Sequence, residues 1–161
     1  PRDLPSSPPR RSPDLPGDLK RVAPRSNAIH GAKFAYGTDG ALAKDPNPRA
    51  MTILSGEKAH ATQLHPMVRT HPVTGRRALF VNPVYTTGIE GMGEEEGRAL
   101  LARFYEHLVD AAFVHRHCWR EDMLVMWDNR CAIHNAEGGY EGYARLMHRT
   151  TVAGESPVLS S

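Results

Sequence analysis

The segment WDNRCAIHNAEGGYEGYARLMHRTTV, Trp127 to Val152, sets one histidine, His134, ahead of two arginines, Arg145 and Arg149, that stand four residues apart. A planar guanidinium meets a carboxylate or sulfonate with two parallel hydrogen bonds, which an ammonium cannot do. An arginine turned inward from a strand is costly unless an anion meets it. Alternation through YARLMHRTTV puts Tyr143, Arg145, Met147, Arg149 and Thr151 on one face, and Leu146, His148, Thr150 and Val152 on the other. At about 3.3 Å per residue the two arginine Cα atoms lie roughly 13 Å apart, so their heads can serve opposite sides of one pocket. Two anion sites follow if that face is enclosed. A plainer reading pairs the arginines with Asp128, Glu137 or Glu141, or leaves them on a solvated face, and the residue pattern taken alone favours it slightly. His134 alone likewise reads first as a hydrogen-bonded structural histidine.

The elements that would hold these residues are short strands and one helix. HPMVRTHPVTGRRALFVN reads as two extended runs, Val68 to His71 and Ala78 to Asn82, joined by a turn containing Gly75. Arg69, Arg76 and Arg77 then read as solvent-facing charges. In GEEEGRALLARFYEHLVDAAF, Leu100, Leu101, Phe104, Tyr105, Leu108 and Ala112 recur at helical spacing behind glutamates that suit a helix start. FVHRHCW and MLVMWDN read as neighbouring antiparallel strands around a turn at Arg120 to Asp122, with the helix laid against the sheet. KFAYGTDGALAKDPNPRAM reads as loop from its Gly, Asp and Pro content, with firm order beginning near Met51.

The chain has 161 residues and a formal charge of +2, enough length for one domain and no basic stripe that would mark a nucleic-acid partner. No apolar run approaches the roughly 18 residues of a membrane span, and the N-terminus has no apolar signal segment. Cys118 and Cys131 lack metal-type spacing and fit a reducing cytoplasm as small hydrophobes. The first 26 residues hold seven of the 13 prolines and few large apolar side chains, so residues 1–26 are expected to be disordered.

MLVMWDNRCAIHNA, the glycine-containing loop after it and RLMHRTTVAG closely resemble the C-terminal signature of the Fe(II)- and 2-oxoglutarate-dependent dioxygenases of the taurine/2,4-dichlorophenoxyacetate dioxygenase family. The resemblance runs upstream through the helix and HPMVRTHPVTGRRALFVNPVYTTGIEGM, covering Met51 to Val158. It implies a mainly β fold with helices, a partial double-stranded β-helix (jelly roll) whose N-terminal portion is missing. The expected domain is 27–158, with a tail at 159–161. It makes His134 the distal histidine of the iron-binding facial triad, and Arg145 the residue that binds the far carboxylate of 2-oxoglutarate. Arg149 matches the arginine that pairs with the substrate's anionic head, and Tyr85 an aromatic position of the substrate pocket. The implied activity is O2-dependent hydroxylation of a small anionic organic substrate, a taurine-like sulfonate, a sulfate ester or a carboxylate. Oxidative decarboxylation of 2-oxoglutarate to succinate drives it.

The family's other two iron ligands come from a His-x-Asp or His-x-Glu motif, and none of the nine histidines has an acid two residues on. One histidine does not satisfy a centre that calls for three protein ligands. His30 reads as structural. The resemblance therefore implies a chain that self-associates or needs a complementing N-terminal half. A second reading is a catalytically inactive, iron-free relic whose Arg145 and Arg149 still bind anions. A third joins His115, His117 and His134 in a different metal site, such as zinc.

Overall fold

The computed structural model describes residues 14–44, 56–137, 142–144 and 146–159. Order begins earlier than expected. Helix α1 (Gly17–Val22) runs into a 3-10 turn at Ala23–Arg25. Leu15, Leu19 and Ala23, each four residues from the next, are buried in the same cluster as Phe104 and Leu108. The expectation of disorder across residues 1–26 is thus overturned for residues 14–26, while residues 1–13 lie outside the described part. Two leucines among prolines cannot order a free peptide, but they can cap a core that another helix already supplies.

Strand β1 (Asn27–Gly31) is the middle of a three-stranded antiparallel sheet, between β2 (Thr62–Pro66) and β5 (Thr86–Ile89). Ile29 faces Leu64 on one side and Gly88 on the other, and the register with β5 slips between Ile29 and His30. The segment expected as loop contains two single-turn helices, α2 (Lys33–Tyr36) and α3 (Ala41–Lys44). Residues 45–55 of it lie outside the described part.

The expected hairpin is present. Strands β3 (Val68–Thr70) and β4 (Arg77–Leu79) pair antiparallel with Val68 opposite Leu79, and Gly75 takes φ 66°, where a residue without Cβ is favoured. Arg76 and Arg77 are exposed, but the solvent-facing reading of Arg69 is wrong. Arg69 is 4% exposed and its guanidinium lies 5.3 Å from the Phe80 ring centroid. Alternation turns Val68 into the main core and Arg69 onto the opposite face, where Phe80 covers it.

The expected helix is α4 (Glu94–Leu108), opened by Glu94, Glu95 and Glu96 at its positive end. Gly97, Leu101, Phe104 and Leu108 form its buried stripe. A 3-10 turn at Ala111–Phe113 follows, with the Asp110 carboxylate accepting the Ala112 N–H at 2.8 Å. Beyond it the structure departs from expectation. The runs FVHRHCW, MLVMWDN and YARLMHRTTV form no strand among the described residues, although Asp122, at φ 58°, does turn the chain between the first two. A strand needs a neighbour for its N–H and C=O groups and a cover for its apolar face. Leu124, Leu146 and Val152 are 85%, 83% and 89% exposed, so the pattern is present and the cover is not. The tail returns to the hairpin through the Thr70 N–H donating to the Val158 carbonyl at 2.8 Å.

Candidate functional site

The β4–β5 connection is held by one side chain. The Asn82 Oδ1 accepts the Val84 N–H at 2.8 Å and the Tyr85 N–H at 3.3 Å, while the Asn82 N–H donates to Thr86 Oγ1 at 2.9 Å. The Thr86 N–H closes the loop on the Asn82 carbonyl. An Asn that hydrogen-bonds backbone groups two and three residues on is a turn in miniature, and this one presents Tyr85. Asn-Pro after the strand was the available signal for it.

A second turn faces it. The carbonyl of Asp128 accepts the N–H groups of Cys131 and Ala132 at 3.1 and 2.9 Å. The Asp128 carboxylate takes the Arg130 Nε and Nη2 groups at 2.7 to 3.1 Å and meets His71 Nε2 at 2.9 Å. On the other side of the ring, His71 Nδ1 accepts the N–H groups of Val73 and Thr74, each at 3.2 Å. His71 therefore carries its proton on Nε2 and donates it to Asp128. Hydrogen bonds from Arg130, and then from His71, hold the Asp128 carboxyl far below the usual carboxylate range against the opposing effect of burial. This lock pins the loop that carries His134 onto the β3–β4 hairpin.

Between the two turns lies a cavity of about 430 Å³, lined among others by His30, Phe80, Asn82, Tyr85, Arg130 and Ile133. His30 stacks on Phe80 with centroids 5.4 Å apart and planes 11° from parallel, and its Nε2 lies 3.4 Å from Thr86 Oγ1. Burial, and then the neighbouring His65, pull its pKa down to about 4. His30 is a neutral wall of the cavity.

Of the four expected site residues, Tyr85 lines the cavity, while His134 and Arg149 are exposed and stand outside that lining. His134 packs its ring 4.8 Å from Trp127, and partial burial, followed by the charge of Arg149, lowers its pKa. Tyr85 lines the cavity and donates its phenol proton to the Tyr36 hydroxyl at 3.5 Å. That bond, then burial, raises the Tyr85 pKa, and Arg149 opposes the rise. Arg145 lies outside the described residues.

The carboxylates that could have neutralised Arg149 are committed elsewhere. Asp128 is taken by Arg130 and His71, and Glu137 by Arg116 at 2.5 Å; Glu141 lies outside the described residues. Among the described residues no carboxylate pairs with Arg149.

Metal ligation is a separate matter. Among the described residues one group of three or more His, Cys, Asp or Glu side chains converges, namely His71, Asp128 and Cys131, with ligand atoms within 4.8 Å of one another. A cation there would have to displace the His71 proton and the Arg130 guanidinium, so these residues make an ion-pair lock. His134 is not in that group, and His115 and His117 do not join it in another. The side chains described here do not by themselves fit a ferrous ion at His134.

Comparison with known proteins gives the family. The profile of the Taurine catabolism dioxygenase TauD, TfdA family matches residues 13–151, and the chain belongs to that family. The match takes in α1 as well. The chain is 41% identical over 150 residues to the alpha-ketoglutarate-dependent 2,4-dichlorophenoxyacetate dioxygenase of Burkholderia sp. (strain RASC), across 91% of this chain and 46% of that protein. It is 29% identical over 148 residues to the alpha-ketoglutarate-dependent sulfate ester dioxygenase of Pseudomonas putida, across 90% of this chain and 48% of that one. A crystal structure assigned to an alpha-ketoglutarate dependent 2,4-D dioxygenase from Burkholderia xenovorans superposes with a TM-score of 0.52 at 28% identity, over 68% of this chain and 39% of that one. This likeness assigns the sheets to the expected mainly β, jelly-roll architecture. The chain spans about half the length of the curated relatives it matches.

Proposed function

We propose that the chain carries the C-terminal portion of an Fe(II)- and 2-oxoglutarate-dependent dioxygenase that hydroxylates a small organic anion, a sulfonate, sulfate ester or carboxylate. In this reading Arg149 holds the anionic head of the substrate, Tyr85 contacts its apolar part, Arg145 anchors the far carboxylate of 2-oxoglutarate, and His134 offers one metal ligand. The other two ligands come from polypeptide outside these 161 residues, which contain no His-x-Asp or His-x-Glu. The same complement, or a second copy of the chain, would cover the exposed apolar side chains of residues 114–152. Among the described residues no helix is long and apolar enough to cross a membrane; a cytoplasmic location belongs to this proposal.

The observation that carries this reading is Arg149, a guanidinium unpaired among the described residues, whose charge reaches both Tyr85 and His134. The substrates after which the two relatives are named, a phenoxyacetate and a sulfate ester, are both organic anions. The test mixes the purified chain with a polypeptide carrying the His-x-Asp half of a relative, adds Fe(II), 2-oxoglutarate and 2,4-dichlorophenoxyacetate or an alkyl sulfate, and measures succinate. Succinate that needs both polypeptides and is lost in Arg149→Ala is the expected result. No succinate from a mixture shown to be folded and associated would overturn it.

A second reading is an iron-free anion-binding chain: among the described residues no other His, Cys, Asp or Glu converges on His134. It requires anion binding that is unchanged by a chelator and no 2-oxoglutarate turnover in any mixture.

A further inference from the structure

Tyr36, which the sequence did not single out, stands against Tyr85, the tyrosine that lines the cavity. It ends α2, with its N–H donating to the Ala32 carbonyl at 2.7 Å. Its own carbonyl accepts the Gly56 N–H at 3.1 Å. The chain then turns so tightly that a Cβ at Gly37 would stand 2.6 Å from the Lys33 carbonyl oxygen. One residue before α2's cap, the Gly31 N–H donates to the Tyr85 carbonyl at 2.8 Å. Backbone hydrogen bonds thus tie the two tyrosines' segments together before their side chains meet. The rings lie 8° from parallel with centroids 6.3 Å apart, and the phenols are joined as donor Tyr85 and acceptor Tyr36.

We propose that Tyr36 is a positioning and specificity-determining residue of this site: it holds in place the Tyr85 ring, the flat part of the cavity wall against which the apolar part of an Arg149-held organic anion packs. The inference rests on the reading of Arg149 as the holder of the substrate's anionic head. A Tyr85 ring held in one orientation presents an aromatic surface that favours a flat aryl group over a flexible alkyl chain of the same charge. With its oxygen already accepting from Tyr85, Tyr36 keeps its own hydroxyl proton for a further acceptor. The same bond holds Tyr85 protonated beside a guanidinium that would otherwise ease its ionisation.

The experiment uses the full chain without metal, with phenylmethanesulfonate and butanesulfonate as probes of equal charge, in wild type, Tyr36→Phe, Tyr36→Ala and Arg149→Ala, each checked for retained fold by circular dichroism. Wild type should prefer the aryl probe, and Tyr36→Ala should weaken it roughly two- to tenfold while leaving the alkyl probe nearly unchanged. Arg149→Ala should weaken both. Tyr36→Phe, which keeps the ring and deletes the acceptor, should lower the pH at which Tyr85 ionises, read as phenolate absorbance against a Tyr85→Phe background. Equal losses for the two probes in Tyr36→Ala, or a Tyr85 titration that does not move in Tyr36→Phe, would overturn the inference. If wild type binds neither probe, the anion-pocket reading fails and the specificity half falls with it, while the phenolate titration still decides the positioning half.

Discussion

The described chain up to Leu108 and the chain beyond Val114 have similar apolar patterning and opposite fates. In the first region Phe104, Met67 and Val68 are fully buried, because α1, β1 and α4 reach the same core from distant points in the sequence. In the second, Leu124, Leu146 and Val152 stand in solvent. Alternation and hydrophobicity mark where a strand can form, and a facing layer decides whether it does. The boundary between the regions is bridged at the Asp128 turn, and the candidate site sits on that bridge.

Four changes would break or sharpen this contrast. The largest effect is expected from Phe104→Ala, which empties the centre of the packed region and should cost about 3–5 kcal/mol in denaturant unfolding. Next, His71→Ala removes the donor to Asp128 and the acceptor for two N–H groups, and should cost about 1–3 kcal/mol. It should also free the loop of residues 128–134, read as faster amide exchange there with little change in α4. Smaller in scale is a pH effect at His30. Its pKa falls from 6.5 to about 4 in the fold, so the unfolded chain takes up a proton that the folded one refuses. Stability should decline as pH drops from 6.5 toward 4, and His30→Gln should flatten that decline in urea midpoints. The smallest change in stability is expected from Leu124→Ser with Leu146→Ser, within about 0.5 kcal/mol because neither side chain is packed. The pair should still reduce self-association, measured by sedimentation.

What was legible in the sequence was local. The β3–β4 hairpin and α4 follow from a glycine turn and a helical stripe that neighbouring residues settle among themselves. Leu15 and Leu19 looked like isolated apolar residues in a proline-rich stretch, because the helix that covers them lies some 80 residues on. Arg69 read as a surface charge because alternation gives the face and not what covers it. The lock of His71 on Asp128 joins residues 57 apart in sequence, which no periodicity signals. At the candidate site, His134, Arg149 and Tyr85 were singled out by residue type and family resemblance, and the fold adds that Tyr85 lines the cavity. Asn82 and Tyr36, which hold Tyr85, were missed because each acts through hydrogen bonds that depend on the final backbone.

The most direct test of the central claim, that this chain supplies one part of a ferrous site, is anaerobic addition of Fe(II) and 2-oxoglutarate while following the weak visible charge-transfer band of the chelated complex. The account predicts no band from the chain alone, a band once a polypeptide carrying the His-x-Asp half is added, and its loss in His134→Ala. A band from the chain alone that survives His134→Ala would contradict it.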